Sequence, residues 1–272
     1  IIFNGGLSTS SIVDNVLFEN CDITINVPDT SPTNNTILEL SGGSNFKVKD
    51  CNITVQYSSL YDEAEVSTGT LFNVSSYGEF VIDNSVIDVE YEISAGAVTP
   101  GDVIVLTNTP DAQITNSSFS GNFNRFINLS NSNNLKVISC SVTSNYDPNS
   151  GASPDEYDGV SYNTSDLVNN GNGYIYSDVS STLLNVLIDD VTFNYSPISV
   201  SNDRYSFINF ELSSNNSYLT GLITNCKFNS LNVSGAVDDF RSAIAIINTA
   251  SSVTSPAVQP TINVKITGNT TN

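Results

Sequence analysis

The sequence predicts an all-β solenoid of about seven to eight coils, and three columns of residues predict it. Asn20, Asp50, Asn84, Asn116, Ser139, Asp190 and Asn225 can be placed at one recurring position along the 272 residues. Two residues before it stand Phe18, Val48, Ile82, Ile114, Val137, Ile188 and Ile223. Three residues after it stand Ile23, Ile53, Ile87, Phe119, Val142, Phe193 and Phe228. The apolar alternation changes parity at the middle column: Phe46 and Val48 are on one phase, Cys51, Ile53 and Val55 on the other. A straight strand cannot do this, because a one-residue shift turns its apolar set to the opposite face. A bend lets two short strands both point inward, and Asn and Asp suit it because they tolerate left-handed backbone.

Upstream of the bend lie the pairs Leu38 and Leu40, Phe72 and Val74, Ile104 and Leu106, Ile127 and Leu129. Each is an i, i+2 strand signature, and each is followed by a polar turn at 41–45, 75–79, 108–111 or 130–134. One repeat therefore reads strand, polar turn, strand, bend, strand, excursion. Bend-to-bend steps vary from 23 residues (Asn116 to Ser139) to 51 (Ser139 to Asp190). Fixed columns with variable gaps are the pattern of a solenoid whose loops leave from one corner. The longest step carries an insertion at 146–174, rich in Pro, Gly, Asp and Asn. Other excursions fall at 28–35, 57–69, 91–101 and 232–241, and Gly268 is an eighth bend position. The whole chain, 1–272, reads as one domain. Strand-like sequence near both ends leads us to expect capping by further chain or by neighbouring subunits. A two-sheet sandwich also suits short strands with frequent turns, but it gives no reason for matching columns.

Composition narrows function by exclusion. Lys and Arg number eight against 28 Asp and Glu, a net charge of −20, which repels nucleic acid and anionic membrane surfaces. Such acidity keeps an exposed protein soluble. No stretch has the apolar length of a membrane span. The absence of His excludes a Ser-His-Asp or Cys-His nucleophile and His-containing zinc sites. The cysteines Cys21, Cys51, Cys140 and Cys226 all follow a bend, where Ser85, Ser117 or Val191 stands in other repeats. That interchange reads as a small inward site with Cys as a buried apolar residue. Free thiols are expected, with a Cys21–Cys51 bridge between neighbouring coils as the alternative.

Three short strands per repeat with inward stacks of Ile, Val, Phe and Cys resemble the right-handed parallel β-helix of the pectate-lyase-like superfamily. The Asn/Asp bend column and the aliphatic columns beside it carry the resemblance over roughly Val16 to Ile266. It implies a single-stranded right-handed parallel β-helix with side-chain ladders, in which Asn20, Asp50, Asn84 and Asn116 stack coil on coil. Polygalacturonase-like members of that superfamily accompany their aspartates with Gly-His-Gly and Arg-x-Lys motifs, and pectate-lyase-like members pair a calcium-binding carboxylate cluster with an Arg or Lys base. The first two motifs are absent, and Arg125, Arg204 and Arg241 sit in no recognisable motif. Asp189-Asp190 then reads as a bend residue beside an outward, solvated neighbour, and Asp238-Asp239 as solvated loop.

The densest acidic patch, Pro154 to Gly159, makes Asp155, Glu156 and Asp158 a candidate calcium site, with Asp62, Glu63 and Glu65 a weaker one. No other cofactor is expected. Asn-x-Ser/Thr sequons are no more frequent than an Asn-, Ser- and Thr-rich chain gives by chance; Asn34 and Asn163, in predicted loops, are the glycosylation candidates. Tyrosines concentrated in excursions, Tyr57, Tyr61, Tyr91, Tyr146, Tyr157, Tyr162, Tyr174 and Tyr176, either pack the loops or stack on sugars. Together these features lead us to expect a non-enzymatic structural or adhesive protein. It would be a rod or fibre segment of a virion, cell surface or extracellular appendage, contacting partner subunits, glycans or further copies of itself. The alternative is a carboxylate-dependent polysaccharide lyase or glycoside hydrolase, which needs two acids brought together from separate coils.

Overall fold

The computed structural model describes residues 2–4, 7–8, 13–27, 36–57, 70–90, 102–121, 123, 125–144, 174–179, 183–195, 207–230, 243–248 and 260–271. They wind as a parallel β-helix in which each coil lays short strands onto three stacks. The first stack contains Ile104–Thr107, Ile127–Ser130, Ile175–Val179, Ile208–Leu212 and Ile244–Asn248. The second contains Asn15–Glu19, Asp111–Thr115, Asn134–Ile138, Leu183–Asp189, Tyr218–Thr224 and Thr261–Thr267. The third is a nine-stranded sheet running from Ile2–Asn4 to Thr270–Thr271. Pairing is in register, so that Ile82, Ile114, Val137, Ile188 and Ile223 fall on successive rungs.

The bend between second and third stacks forms in every repeat. Asn20, Asp50, Asn84, Asn116, Ser139, Asp190 and Asn225 have φ between 46° and 55°, and Gly268 has φ 67°. The ladder does not break there. The bend N–H of one coil donates to the carbonyl just before the bend of the next, as from Asn20 to Lys49 at 3.0 Å, Asp50 to Asp83 at 3.1 Å and Asn116 to Ile138 at 3.0 Å. A change of direction therefore leaves no buried amide unpaired, which would cost about 1–3 kcal/mol each.

A second left-handed column, which the sequence pattern did not reveal, lies at the corner between the first and second stacks. Gly42, Ser76, Asn108 and Asn131 have φ of 73°, 58°, 52° and 54°. In two repeats this corner is not the predicted turn between separate strands, because the sheet runs through it as the twelve-residue strands Leu38–Lys49 and Phe72–Asp83. In-register pairing of the two corners carries the ladder across.

Apolar residues of all three stacks fill the interior. Phe46 stacks on Phe80 with centroids 5.3 Å apart and planes 8° off parallel, and Phe193 stacks on Phe228 at 5.3 Å and 1°. Tyr174, expected in the long excursion, is instead a core residue: it is fully buried against Phe207, and its hydroxyl donates to the Asn194 carbonyl at 2.9 Å. In the coil around Gly268, Ile262 and Ile266 sit on the fully buried Leu219 and Ile223 yet remain 47% and 49% exposed.

Asn84→Val should destabilise the protein by roughly 2 kcal/mol, since a β-branched residue strains the left-handed bend by about 1–2 kcal/mol and the side-chain bond is lost as well. Asn84→Gly should cost clearly less. Urea unfolding midpoints of the two variants would check this, and equal losses would refute a left-handed constraint.

Candidate functional site

Polar side chains on the outer faces bond from coil to coil. Asp50 accepts from Asn84 Nδ2 at 2.5 Å, the direct ladder step expected of the bend column. The ladder does not continue as expected, because the Asn116 amide reaches the residue beside the bend, Asp83, at 3.0 Å. Asn225 likewise donates to Asp189 at 2.9 Å, while Ser139 donates to Asp190 at 3.2 Å. Asp22 accepts from Asn52, Asp88 from Ser120 and Asp111 from Asn134, at 2.7, 2.6 and 2.7 Å. The acidity and the Asn/Ser/Thr content of the chain are thus two halves of one arrangement, carboxylate acceptors facing amide and hydroxyl donors one coil away.

The cysteine column belongs to the same scheme. Cys51 Sγ donates to the Lys49 carbonyl at 3.1 Å and Cys226 Sγ to that of Thr224 at 3.2 Å, as Ser85 and Ser117 hydroxyls do to Asp83 and Thr115 at 2.9 and 2.7 Å. Cys51, Cys140 and Cys226 are buried in the core as expected, and Cys and Ser also share a bond, since both donate to the carbonyl that precedes the bend. All four thiols are unpaired. Burial pushes Cys140 and Cys226 up to about 11, so both stay protonated.

One cluster differs from these ladders by combining burial with opposite charges. On the outer face of the first stack, Asn128, Tyr176 and Asn209 occupy consecutive rungs, and Glu211 lies two residues along from Asn209. Asp102 accepts from Asn128 Nδ2 at 2.9 Å and pairs with Arg125 Nη1 at 3.4 Å. The Arg125 guanidinium lies 4.9 Å from the Tyr176 ring centroid, and the Tyr176 hydroxyl donates to Glu211 at 3.3 Å. Asp102, Asn209 and Glu211 are buried, and Asn209 Oδ1 has no hydrogen-bond partner among the described residues. Partnering is what makes such burial tolerable for a carboxylate. Two carboxyl groups, a phenol and a guanidinium on one face are also the groups that acid–base chemistry on a polysaccharide would use.

Sequence alone does not point to this cluster: Arg125 sits in no recognisable motif, Tyr176 reads as one of the excursion tyrosines, and nothing singles out Asp102 or Glu211. The usable signal is register: residues one and three after the start of successive first-stack strands share a face.

A shallow groove of about 490 Å³ crosses the outer face of the second stack, lined by Asp111, Gln113, Asn134, Lys136, Asn185, Leu187 and Gly221 among others. Asp155, Glu156 and Asp158, the glycosylation candidates Asn34 and Asn163, and the pairs Asp62-Glu63 and Asp238-Asp239 lie outside the described residues. Among the described residues no three His, Cys, Asp or Glu side chains gather as metal ligands, and no helix is long and apolar enough to cross a membrane. The chain matches no protein-family model, no curated protein and no solved structure.

Asp83 carries a pH prediction. The Thr115 hydroxyl, 2.6 Å away, and the Asn116 amide hold its carboxyl below the usual range, outweighing burial. A depressed folded-state value contributes stability above the unfolded value, about 3.9, and that contribution is lost as pH falls through the folded one. Asp83→Asn should therefore lose stability at neutral pH and show a shallower decline below about pH 4 than the parent protein, read from melting temperatures across that range.

Proposed function

We propose that this chain is a non-enzymatic, structural or adhesive β-helical segment that presents its sides and loops to partner subunits or surface glycans. It would be a non-catalytic relative of the pectate-lyase-like superfamily, working at a virion, cell or extracellular surface. The observation that carries this reading is how the outward carboxylates are used. Asp22, Asp50, Asp83, Asp88, Asp111, Asp189 and Asp190 each accept from a side chain of an adjacent coil, which makes them mortar between coils. The half-exposed Ile262 and Ile266 add an apolar surface on which a further β-coil would fit.

A second reading, a carboxylate-dependent polysaccharide lyase or glycoside hydrolase, is favoured by the Asp102–Arg125–Tyr176–Glu211 cluster alone. Both carboxylates are engaged there, Asp102 by two donors and Glu211 by a phenol. We therefore place it second.

Glycan-array binding by the purified chain, followed by product analysis on each bound polysaccharide, separates the two. The structural reading expects no new chain ends from any polysaccharide, with binding unchanged in Asp102→Asn and Glu211→Gln. Cleavage that either substitution lowers by roughly a hundredfold, the usual size of an acid–base contribution, would overturn it.

A further inference from the structure

We propose that Cys21 and Cys51 form a thiol pair that a small-molecule disulfide oxidises to an inter-coil bridge. Both residues follow a bend, on adjacent coils in register, as the flanking pairs Asp22–Asn52 and Ile23–Ile53 fix. The Asn52 N–H donates to the Cys21 carbonyl at 2.9 Å, so the two backbones run side by side at this rung. Adjacent parallel strands lie about 4.8 Å apart, within the Cα separation of about 4.4–6.8 Å that a disulfide spans. The side chains also share an orientation, since each Sγ donates to the carbonyl two residues back, at 3.2 Å for Cys21 and 3.1 Å for Cys51. The two thiols are close enough for Cys21 to perturb the ionisation of Cys51.

The remaining cysteines have no such neighbour. Cys140 stands between Ser117 and Val191, and Cys226 between Val191 and Asn269. Access also differs: Cys21 is partly exposed, whereas Cys51, Cys140 and Cys226 are buried. Cys21 is therefore the attacking sulfur. Its thiolate attacks one sulfur of the small disulfide, forming a mixed disulfide and releasing one thiolate. Cys51 then gives up its proton to solvent and attacks the Cys21 sulfur, expelling the second thiolate. In sum two protein thiols are oxidised and one small disulfide is reduced to two thiols, with no other reactant.

Oxidised glutathione is a suitable probe, with thiols counted after denaturation and products located by peptide mass mapping. The parent protein should lose two of its four thiols and the mass of two hydrogens, yield a Cys21–Cys51 cross-linked peptide, and retain no glutathione. Cys51→Ser should stop at one glutathione on Cys21, and Cys21→Ser should keep its three thiols. Both variants are expected to fold, because Ser85 and Ser117 make the same carbonyl bond in the same column. The proposal fails if the parent keeps all four thiols, holds glutathione on Cys21 as Cys51→Ser does, or bridges through Cys140 or Cys226.

Discussion

Every coil must return its chain to the same register without leaving a backbone group unpaired, and the left-handed bend residue is what permits this. At that residue the side-chain phase flips, so strands on both sides aim their apolar residues inward. Its own N–H stays in the ladder, bonded to the neighbouring coil, as for Asn84 to Thr115 at 3.1 Å. Asn, Asp, Ser or Gly occupies all eight bends because each accepts positive φ more readily than a branched residue. The inward columns, the outward ladders and the thiol column all inherit their spacing from this one backbone conformation.

Outward of the bend, electrostatics is arranged by alternation. A chain of net charge −20 stacked in register would place carboxylate on carboxylate if like residues lined up. Instead Asp50 faces Asn84, and Asp111 faces Asn134. A charged acceptor bonded to a neutral donor gains a charge-assisted hydrogen bond; where Asp111 also lies opposite Glu79, Lys47 pairs with that glutamate. The few cations are placed to the same end: Lys47 pairs with Glu79 at 2.7 Å, and Lys49 with Glu19 at 3.6 Å.

Much of this was legible in the sequence, for a physical reason. Positive φ restricts residue type, and burial restricts polarity, so the bend and the columns two before and three after it could be read without coordinates. The polar corner containing Gly42, Ser76, Asn108 and Asn131 is legible, but its left-handed column is obscured because, among the described residues, it occurs in four repeats and with mixed residue types. Cysteine hides its role as a donor, since a thiol in a core looks like a small apolar residue. The Asp102–Arg125–Tyr176–Glu211 cluster was invisible because its members come from successive coils whose separation depends on loop length. Only the register, once known, sums those separations away.

The shortest coil, from Asn116 to Ser139, holds three strands and two bends with only residues 122–126 joining the third stack to the first. That segment is the seam of the architecture. Longer coils lengthen the chain chiefly at this seam, between strands whose ladders are already closed on either side. Length there is thus decoupled from register: a graft of a few residues or a few dozen leaves the rungs above and below in step. Coils of 23 and 51 residues accordingly keep the same rungs, so the back of the helix has one dimension while its seam takes chain of different lengths.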